Sequence, residues 1–120
     1  MSLMVLALVD DLMFKSKIKS TAAGVGVTVT FAGSGETALA LMRAELPALV
    51  ILDLNNPRID PIGTVVAMKH DAALSSIRTL GFVSHIDAAT IDAARAAGVD
   101  EVLARSAFTA GLVDLLSRGR

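Results

Sequence analysis

Acidic, hydroxyl and cationic side chains follow four of the apolar runs of the sequence. Asp10 and Asp11 follow the first run, and Asp53 follows the third. Ser84 follows the fourth run and Arg105 follows the fifth. Three carboxylates brought close together repel one another unless a cation neutralises them. Because hard oxygen ligands are those that Mg²⁺ prefers in proteins, the three carboxylates predict a magnesium site.

The same residues are suited to phosphoryl transfer. A carboxylate beside Mg²⁺ can act as a nucleophile toward a phosphoryl group, because the metal and a nearby cation spread the charge of the transferring oxygens. The aspartyl phosphate that forms carries close to two negative charges. Ser84 would donate a hydrogen bond to it, and Arg105 would make charge-assisted contacts. We therefore expect formation of this phosphate to bias the surrounding loops.

Five short apolar runs of strand length alternate with segments of helical periodicity. The runs are rich in Val, Ile, Leu and Phe and cover residues 4–9, 27–31, 49–52, 80–83 and 99–104. Five helices are expected, one after each run, with Asp87 and Thr109 as N-caps of the fourth and the fifth. Strict alternation of strand and helix predicts a mostly parallel sheet with helices on both faces.

The predicted fold class is a doubly wound α/β sandwich, (βα)5, of the flavodoxin-like type. Since there are only five strands, we expect a parallel sheet with the order 2-1-3-4-5 rather than the dinucleotide-binding order. In such sheets the working crevice lies beyond the carboxyl ends of the strands, near the switch point between strands one and three. The acidic, hydroxyl and cationic side chains should therefore meet at this edge of the sheet.

Length and composition fit one folded domain that spans residues 1–120. A hydrophobic share of 53% and a charged share of 19% argue against intrinsic disorder. Lys and Arg number 11 against 12 Asp and Glu, so no global field attracts nucleic acid. No apolar run approaches the roughly 20 residues of a membrane span, and the lack of Cys removes disulfides and thiolate metal sites. We expect a cytoplasmic protein that binds neither membrane nor nucleic acid.

Four stretches of the chain resemble the receiver domain of response regulators, of the chemotaxis-regulator type. They are the apolar run into Asp10 and Asp11, residues 50–57 (VILDLNNP), residues 82–84 (FVS) and residues 98–105 (GVDEVLAR). The resemblance extends over essentially the whole chain. It implies a phosphoacceptor domain of a two-component system, which transfers a phosphoryl group to its own Asp and is not an enzyme for a separate substrate.

The resemblance also implies a function for each residue of the site. Asp53 is the phosphoacceptor and contributes to the metal site. Asp11 binds Mg²⁺ directly, Asp10 binds it largely through water, and Asn55 offers its backbone carbonyl. Ser84 takes the position of the switch hydroxyl of the family.

The partners follow from the same resemblance. A sensor histidine kinase or a phosphotransfer protein would donate the phosphoryl group, and an output protein of unknown identity would read the change. Because the sequence ends soon after the fifth predicted helix, we expect this output partner to be a separate protein, unless the receiver was cut from a longer one. We expect a monomer or a weak homodimer.

Several positions depart from the family pattern. Arg105 and Ser106 replace a Lys-Pro pair, and Val102 replaces an aromatic residue. Arg keeps the charge of Lys, but its planar head is not a geometric substitute for a compact ammonium. Without Pro a cis bond costs about 2.5–4 kcal/mol, so we expect the bond between Arg105 and Ser106 to be trans. His85 would crowd the site after the switch residue, and Pro61 would stiffen the loop below the acceptor.

Two other hypotheses remain open. The departures favour a degenerate receiver that acts as a phosphorylation-independent interaction module. A small α/β enzyme or a flavin-binding protein is the second, although the acidic loop after the first strand would repel a phosphate. Single motifs also have structural interpretations, because Asp10 or Asp11 could be the N-cap of the first helix. Residues 33–36 (GSGE) are more typical of a turn with an N-cap than of a phosphate-binding loop.

Overall fold

Five parallel strands form one sheet in a computed structural model that describes residues 4–84 and 87–117. The strands are β1 Met4–Leu8, β2 Thr28–Ala32, β3 Leu49–Asp53, β4 Arg78–Val83 and β5 Glu101–Ala104. Their order is β2-β1-β3-β4-β5, and every neighbouring pair is parallel. The predicted fold class and strand order are therefore confirmed.

Six helices and one 3₁₀ turn lie in the same described ranges. The helices are α1 Leu12–Gly24, α2 Gly35–Glu45, α3 Pro61–Lys69, α4 Ala88–Ala97, α5 Arg105–Ala110 and α6 Leu112–Ser117, and the 3₁₀ turn is Pro57–Ile59. The segment predicted as a fifth helix is thus two helices that separate at Gly111, a residue type that favours helix ends. Thr109 lies inside α5, because this helix begins directly after β5, and its prediction as an N-cap was wrong. None of the described helices is long and apolar enough to span a membrane.

Local capping explains where the other helices begin and end. The Ser34 hydroxyl accepts a hydrogen bond from the Thr37 amide at 3.1 Å and caps α2, which confirms the structural interpretation of that turn. The Asp87 carboxylate accepts from the Ala89 amide and caps α4, as predicted. Gly98 ends α4 with a φ of 109°, a left-handed conformation that residues with a Cβ rarely adopt.

The inner strands are buried on both faces, which explains their continuous apolar sequences. Along β1, Leu6 and Leu8 pack into a core with α2 and α3, whereas Val5 and Ala7 pack into a second core with α1 and α6. The edge strands β2 and β5 are only partly buried. The buried inner strands β1, β3 and β4 lead into the acidic, hydroxyl and amide groups of the site.

Candidate functional site

The carboxyl ends of the strands carry the residues that the sequence singles out. Asp10 and Asp11 follow β1, and Asp53 is the last residue of β3. Ser84 follows β4, and Arg105 is the first residue of α5, directly after β5. Since all five strands are parallel neighbours in one sheet, these residues lie at the same edge, as predicted.

The carboxylate of Asp53 is half-buried and electrostatically coupled to the groups around it. Burial raises its pKa above the ordinary value. The backbone N–H of Asn55, which donates to Asp53 Oδ1 at 3.1 Å, and the positive charge of Arg105 oppose this shift, whereas the charges of Asp10 and Asp11 add to it. Asp10 and Asp11 are thus close enough to act on the Asp53 carboxylate, and a raised pKa makes Asp53 a stronger base. We call Asp10, Asp11 and Asp53 the acidic site.

Asp10 is held by two residues that the sequence analysis did not identify. Arg58 Nη2 lies 3.0 Å from Asp10 Oδ2, and Asn56 Nδ2 lies 2.7 Å from Asp10 Oδ1. The Asn56 side chain is fixed in turn, because its Oδ1 accepts from the Arg58 amide and caps the 3₁₀ turn. The sequence feature that could have indicated both contacts is the position of Asn56 and Arg58 in the loop after β3, because β3 is a neighbour of β1 in the sheet.

Asp11 has the structural function that the sequence left open for either acid of the pair. Its Oδ1 accepts a hydrogen bond from the Phe14 amide at 2.8 Å and caps α1. This bond uses one carboxylate oxygen, and no hydrogen bond within residues 4–84 and 87–117 reaches Asp11 Oδ2. Capping and binding of a ligand are therefore compatible in Asp11.

Asn55 connects the ends of β3 and β4. Its side-chain Oδ1 accepts a hydrogen bond from the backbone N–H of Ser84. Ser84 itself is exposed at the end of β4, with its backbone fixed by this contact. Ser84 and Asp53 are thus coupled through one residue, since Asn55 also donates to Asp53.

Arg105 lies over an aromatic side chain. Its guanidinium carbon is 4.3 Å from the centre of the Phe14 ring. Phe14 is buried and packs against Phe82 at 5.0 Å and Phe108 at 5.6 Å between ring centres. The bond from Arg105 to Ser106 is trans, as predicted, since the described residues contain no cis peptide.

The remaining departures from the family pattern have different outcomes. Val102 is half-buried and packs against the core on the α2 and α3 face. Pro61 is buried at the start of α3, after Asp60, which caps this helix from a left-handed conformation with a φ of 45°. His85, which we expected to crowd the site, lies outside the described residues.

The carboxylates of the acidic site are suitable ligands for a hard divalent cation, but the Asp10 carboxylate is already hydrogen-bonded to other side chains. In the described part of the chain, no three acidic or histidine side chains are grouped so as to hold a metal ion. Both oxygens of Asp10 accept hydrogen bonds from Asn56 and Arg58. Asp11 and Asp53 each use only Oδ1 in such bonds. The residues fit a metal through Asp11 and Asp53, and they fit it through Asp10 only when Arg58 moves away.

Comparisons with known proteins agree with this geometry. The solution structure of a response regulator from Burkholderia multivorans shares 26% identity with this chain at a TM-score of 0.77, covering 98% of this chain and 94% of that one. The chain has the receiver-domain fold. The crystal structure of the phosphorylated cyanobacterial phytochrome response regulator RcpA has the same fold, with a TM-score of 0.81, 22% identity and coverage of 98% and 90%. The crystal structure of the Mn²⁺-bound form of response regulator Rcp1 has a TM-score of 0.76 and 18% identity, covering 95% of this chain and 88% of that one.

A curated relative also matches the receiver by sequence. It is the transcriptional activator protein ExaE of Pseudomonas putida, 33% identical over 93 residues, which are 78% of this chain. The match covers 42% of the length of that activator, so the chain spans less than half of its relative. No family model matches the sequence.

Proposed function

We propose that this receiver accepts a phosphoryl group on Asp53 from a histidine kinase or a phosphotransfer protein and changes a protein contact in response. The observation that carries the proposal is the common position of Asp53, Asp10, Asp11 and Arg105 at the carboxyl edge of the parallel sheet. The charges of the other three residues act on the pKa of Asp53 there. The phosphorylated state of RcpA, a protein of the same fold, is in line with it. The domain modifies its own residue and is not an enzyme for a separate substrate.

Asp53 is suited to attack phosphorus through Oδ2. The Asn55 amide holds Oδ1, and no hydrogen bond in the described residues reaches Oδ2. In the transfer from a phosphohistidine, a new O–P bond forms, the N–P bond breaks, and the electron pair of that bond returns to the imidazole. The Arg105 guanidinium stabilises the negative charge that builds on the phosphoryl oxygens.

A divalent cation is part of the proposal. Asp11, Asp53 and the backbone carbonyl of Asn55 would hold it, with Asp10 contributing through water. When bound, Mg²⁺ would neutralise charge on the acids and on the phosphoryl group. The Mn²⁺-bound form of Rcp1 is in line with such a site.

The change of charge at Asp53 would be read at Ser84. Phosphorylation replaces one negative charge by close to two, and the Ser84 hydroxyl would donate to the added oxygens. A shift of Ser84 toward Asp53 must strain or break the bond between the Ser84 amide and Asn55. Ser84 at the end of β4 would therefore change its position, and an output protein would bind the changed surface.

The phosphodonor would approach the site over the start of α1. Leu12 is 79% exposed and Met13 is 85% exposed, and both directly follow Asp11. An exposed apolar pair beside a reactive carboxylate is suited to contact with a donor protein. The partner, in this proposal, is a protein that carries phosphohistidine and presents an apolar surface around it.

Intact-protein mass spectrometry after incubation with a small acyl phosphate and Mg²⁺ tests the proposal. The native chain should gain one phosphoryl adduct, and Asp53→Asn should gain none. Asp60→Asn, in the same loop, should still gain the adduct, because Asp60 caps α3 rather than facing the acidic site. An adduct that persists in Asp53→Asn, or that forms equally without Mg²⁺, would contradict the proposal.

A degenerate receiver that binds its partner without phosphorylation is the second candidate. The observation that favours it is the engagement of both Asp10 oxygens by Asn56 and Arg58. This candidate predicts a folded protein with neither an adduct nor measurable Mg²⁺ binding. The same mass spectrometry, together with calorimetry of Mg²⁺, separates the two.

A further inference from the structure

The loop between β3 and α3 places a cation on the acidic site. The Arg58 guanidinium meets Asp10 Oδ2 at 3.0 Å, and Asn56 occupies the other oxygen. A water molecule on Mg²⁺ would need an Asp10 oxygen as its acceptor, and both of these oxygens already accept hydrogen bonds from Asn56 and Arg58. The two cations would also repel each other across a few ångströms.

We propose that Arg58 competes with the divalent cation for Asp10 and thereby lowers the metal affinity of this receiver. The inference deepens the proposed function and rests on its metal site. The residue concerned is Arg58, which belongs to the loop between β3 and α3 and is not one of the three acids.

The balance of charge explains why Asp10 attracts a cation. Asp10 and Asp11 both act on the half-buried Asp53 with negative charge. In the described residues, Arg58 has Asp10 as its ion-pair partner, whereas Arg43 pairs with Asp71 and Arg78 pairs with Glu101, away from this edge. A divalent ion that replaced Arg58 would neutralise the acidic site more fully, since it carries two charges and can contact several oxygens at once.

The ion pair is weak enough to be exchanged. The Arg58 side chain is 79% exposed, against 28% for Asp10, and an ion pair in such a position contributes little because water screens it. The loop is anchored on either side by Leu54 and Ile59, which are buried. Release of Arg58 therefore requires movement of an exposed side chain and its short turn, and not of the core.

Metal binding would then have a second effect at the surface. Arg58 would leave Asp10 and turn toward solvent, and Asn56 would lose its contact with Asp10 Oδ1 if a metal-bound water donated to that oxygen. Because Asn56 also caps the 3₁₀ turn through the Arg58 amide, the conformation of this turn would differ between the metal-bound and the metal-free acidic site.

Titration calorimetry of Mg²⁺ into the full chain, at constant ionic strength, tests the competition. Arg58→Gln should bind Mg²⁺ about 1.4-fold to fivefold more tightly than the native chain, the range expected for loss of an exposed competing charge. Arg58→Lys keeps the charge and should lie between the two. Arg43→Gln removes an exposed, ion-paired Arg far from the site and should bind as the native chain does.

The outcomes separate this inference from the proposed function. Equal affinity in Arg58→Gln and the native chain, with binding lost in Asp11→Asn, would overturn the competition and leave the metal site standing. Tighter binding by Arg58→Lys than by Arg58→Gln would also overturn it. Absence of binding in every variant, Arg58→Gln included, would refute the metal site itself.

Nuclear magnetic resonance gives a second readout that does not depend on phosphorylation. The side-chain amide signals of Asn56 and the Nε–H signal of Arg58 should shift as Mg²⁺ is added, with the midpoint found by calorimetry. The Nε–H signal of Arg43 should not move. Signals of Asn56 and Arg58 that stay in place while the metal binds would overturn the proposed exchange.

Discussion

The Arg105 guanidinium lies 4.3 Å from the centre of the Phe14 ring and acts on Asp53 with its positive charge. Phe14 is fixed by its ring contacts with Phe82 and Phe108. The stack therefore determines where the long and flexible Arg105 side chain lies relative to Asp53. A planar guanidinium can rest on a ring in this way, and its charge still reaches the carboxylate.

Removal of this cation should raise the pKa of Asp53 further. In Arg105→Gln the carboxylate loses a nearby positive charge that favours its ionised form, whereas the repulsion from Asp10 and Asp11 remains. A titration of the Asp53 carboxyl carbon by nuclear magnetic resonance measures the change. Arg95→Gln, at the exposed end of α4, is the control and should leave the titration as it is. A midpoint in Arg105→Gln equal to or below the native one would contradict this account.

The raised pKa of Asp53 also predicts a dependence of stability on pH. The folded chain binds the Asp53 proton more tightly than the unfolded chain does, so the contribution of this group to stability is greatest at low pH and is lost as pH rises through the folded pKa. At neutral pH, Asp53→Asn should therefore have a higher Tm than the native chain. The difference should disappear below the ordinary pKa of 3.8.

Thermal unfolding followed by circular dichroism at pH 7 and at pH 3 measures this difference. Asp92→Asn removes an exposed carboxylate on α4 and controls for the loss of one negative charge. An equal gain in Tm for both variants would assign the effect to net charge and not to the environment of Asp53.

The sheet and the common position of the three acids were predictable from the sequence because both depend on the alternation of strands and helices. Apolar runs separated by helical segments are compatible with few topologies. In a parallel sheet the ends of β1 and β3 are neighbours, so Asp53 lies near Asp10 and Asp11 for any conformation of the loops. The contact between Arg58 and Asp10 was not predictable in this way. It depends on the path of a short loop, on the 3₁₀ turn and on the rotamer of a long side chain, none of which leaves a periodic pattern.

The stack of Arg105 on Phe14 shows a second limit of the sequence. The sequence predicted Arg105 as the cation after the fifth strand but did not predict its contact with Phe14. Their contact depends on how α1 and α5 pack on one face of the sheet, which brings together residues 91 positions apart. Thr109 failed as an N-cap for a related reason, because α5 begins directly at the end of β5.

A pair of residues at the opposite edge of the sheet should be important for stability. Thr79, at 1% exposure, donates its amide at 2.8 Å and its hydroxyl at 3.1 Å to the Asp100 carboxylate, and its hydroxyl accepts from the Asp100 amide. Thr79→Val keeps the shape and leaves the Asp100 amide without its acceptor. We expect the free energy of unfolding to fall by about 2 kcal/mol, measured by urea denaturation.

Thr30→Val is the matched control for that substitution. Thr30 is half-buried on the edge strand β2, and no side-chain hydrogen bond of Thr30 occurs within the described residues. The control should change the free energy of unfolding by less than about 0.5 kcal/mol. Equal losses in the two variants would mean that the bonds to Asp100 contribute nothing particular.

Leu46 has a backbone conformation that is unfavourable for its own residue type. It ends α2 with a φ of 48°, in the left-handed region that costs a residue with a Cβ roughly 1–2 kcal/mol, and the residue is 59% exposed. Leu46→Gly should therefore raise the free energy of unfolding by about 0.5–1 kcal/mol, after the greater freedom of Gly in the unfolded chain is subtracted.

Leu46→Ala separates this backbone effect from loss of the side chain. Ala keeps the Cβ and so keeps the conformational cost, while it removes the same exposed apolar atoms beyond Cβ. In urea denaturation the Gly variant should be more stable than both the native chain and the Ala variant. If Ala stabilises the receiver as much as Gly does, the gain comes from removing an exposed apolar group, and the conformation of residue 46 is not the cause.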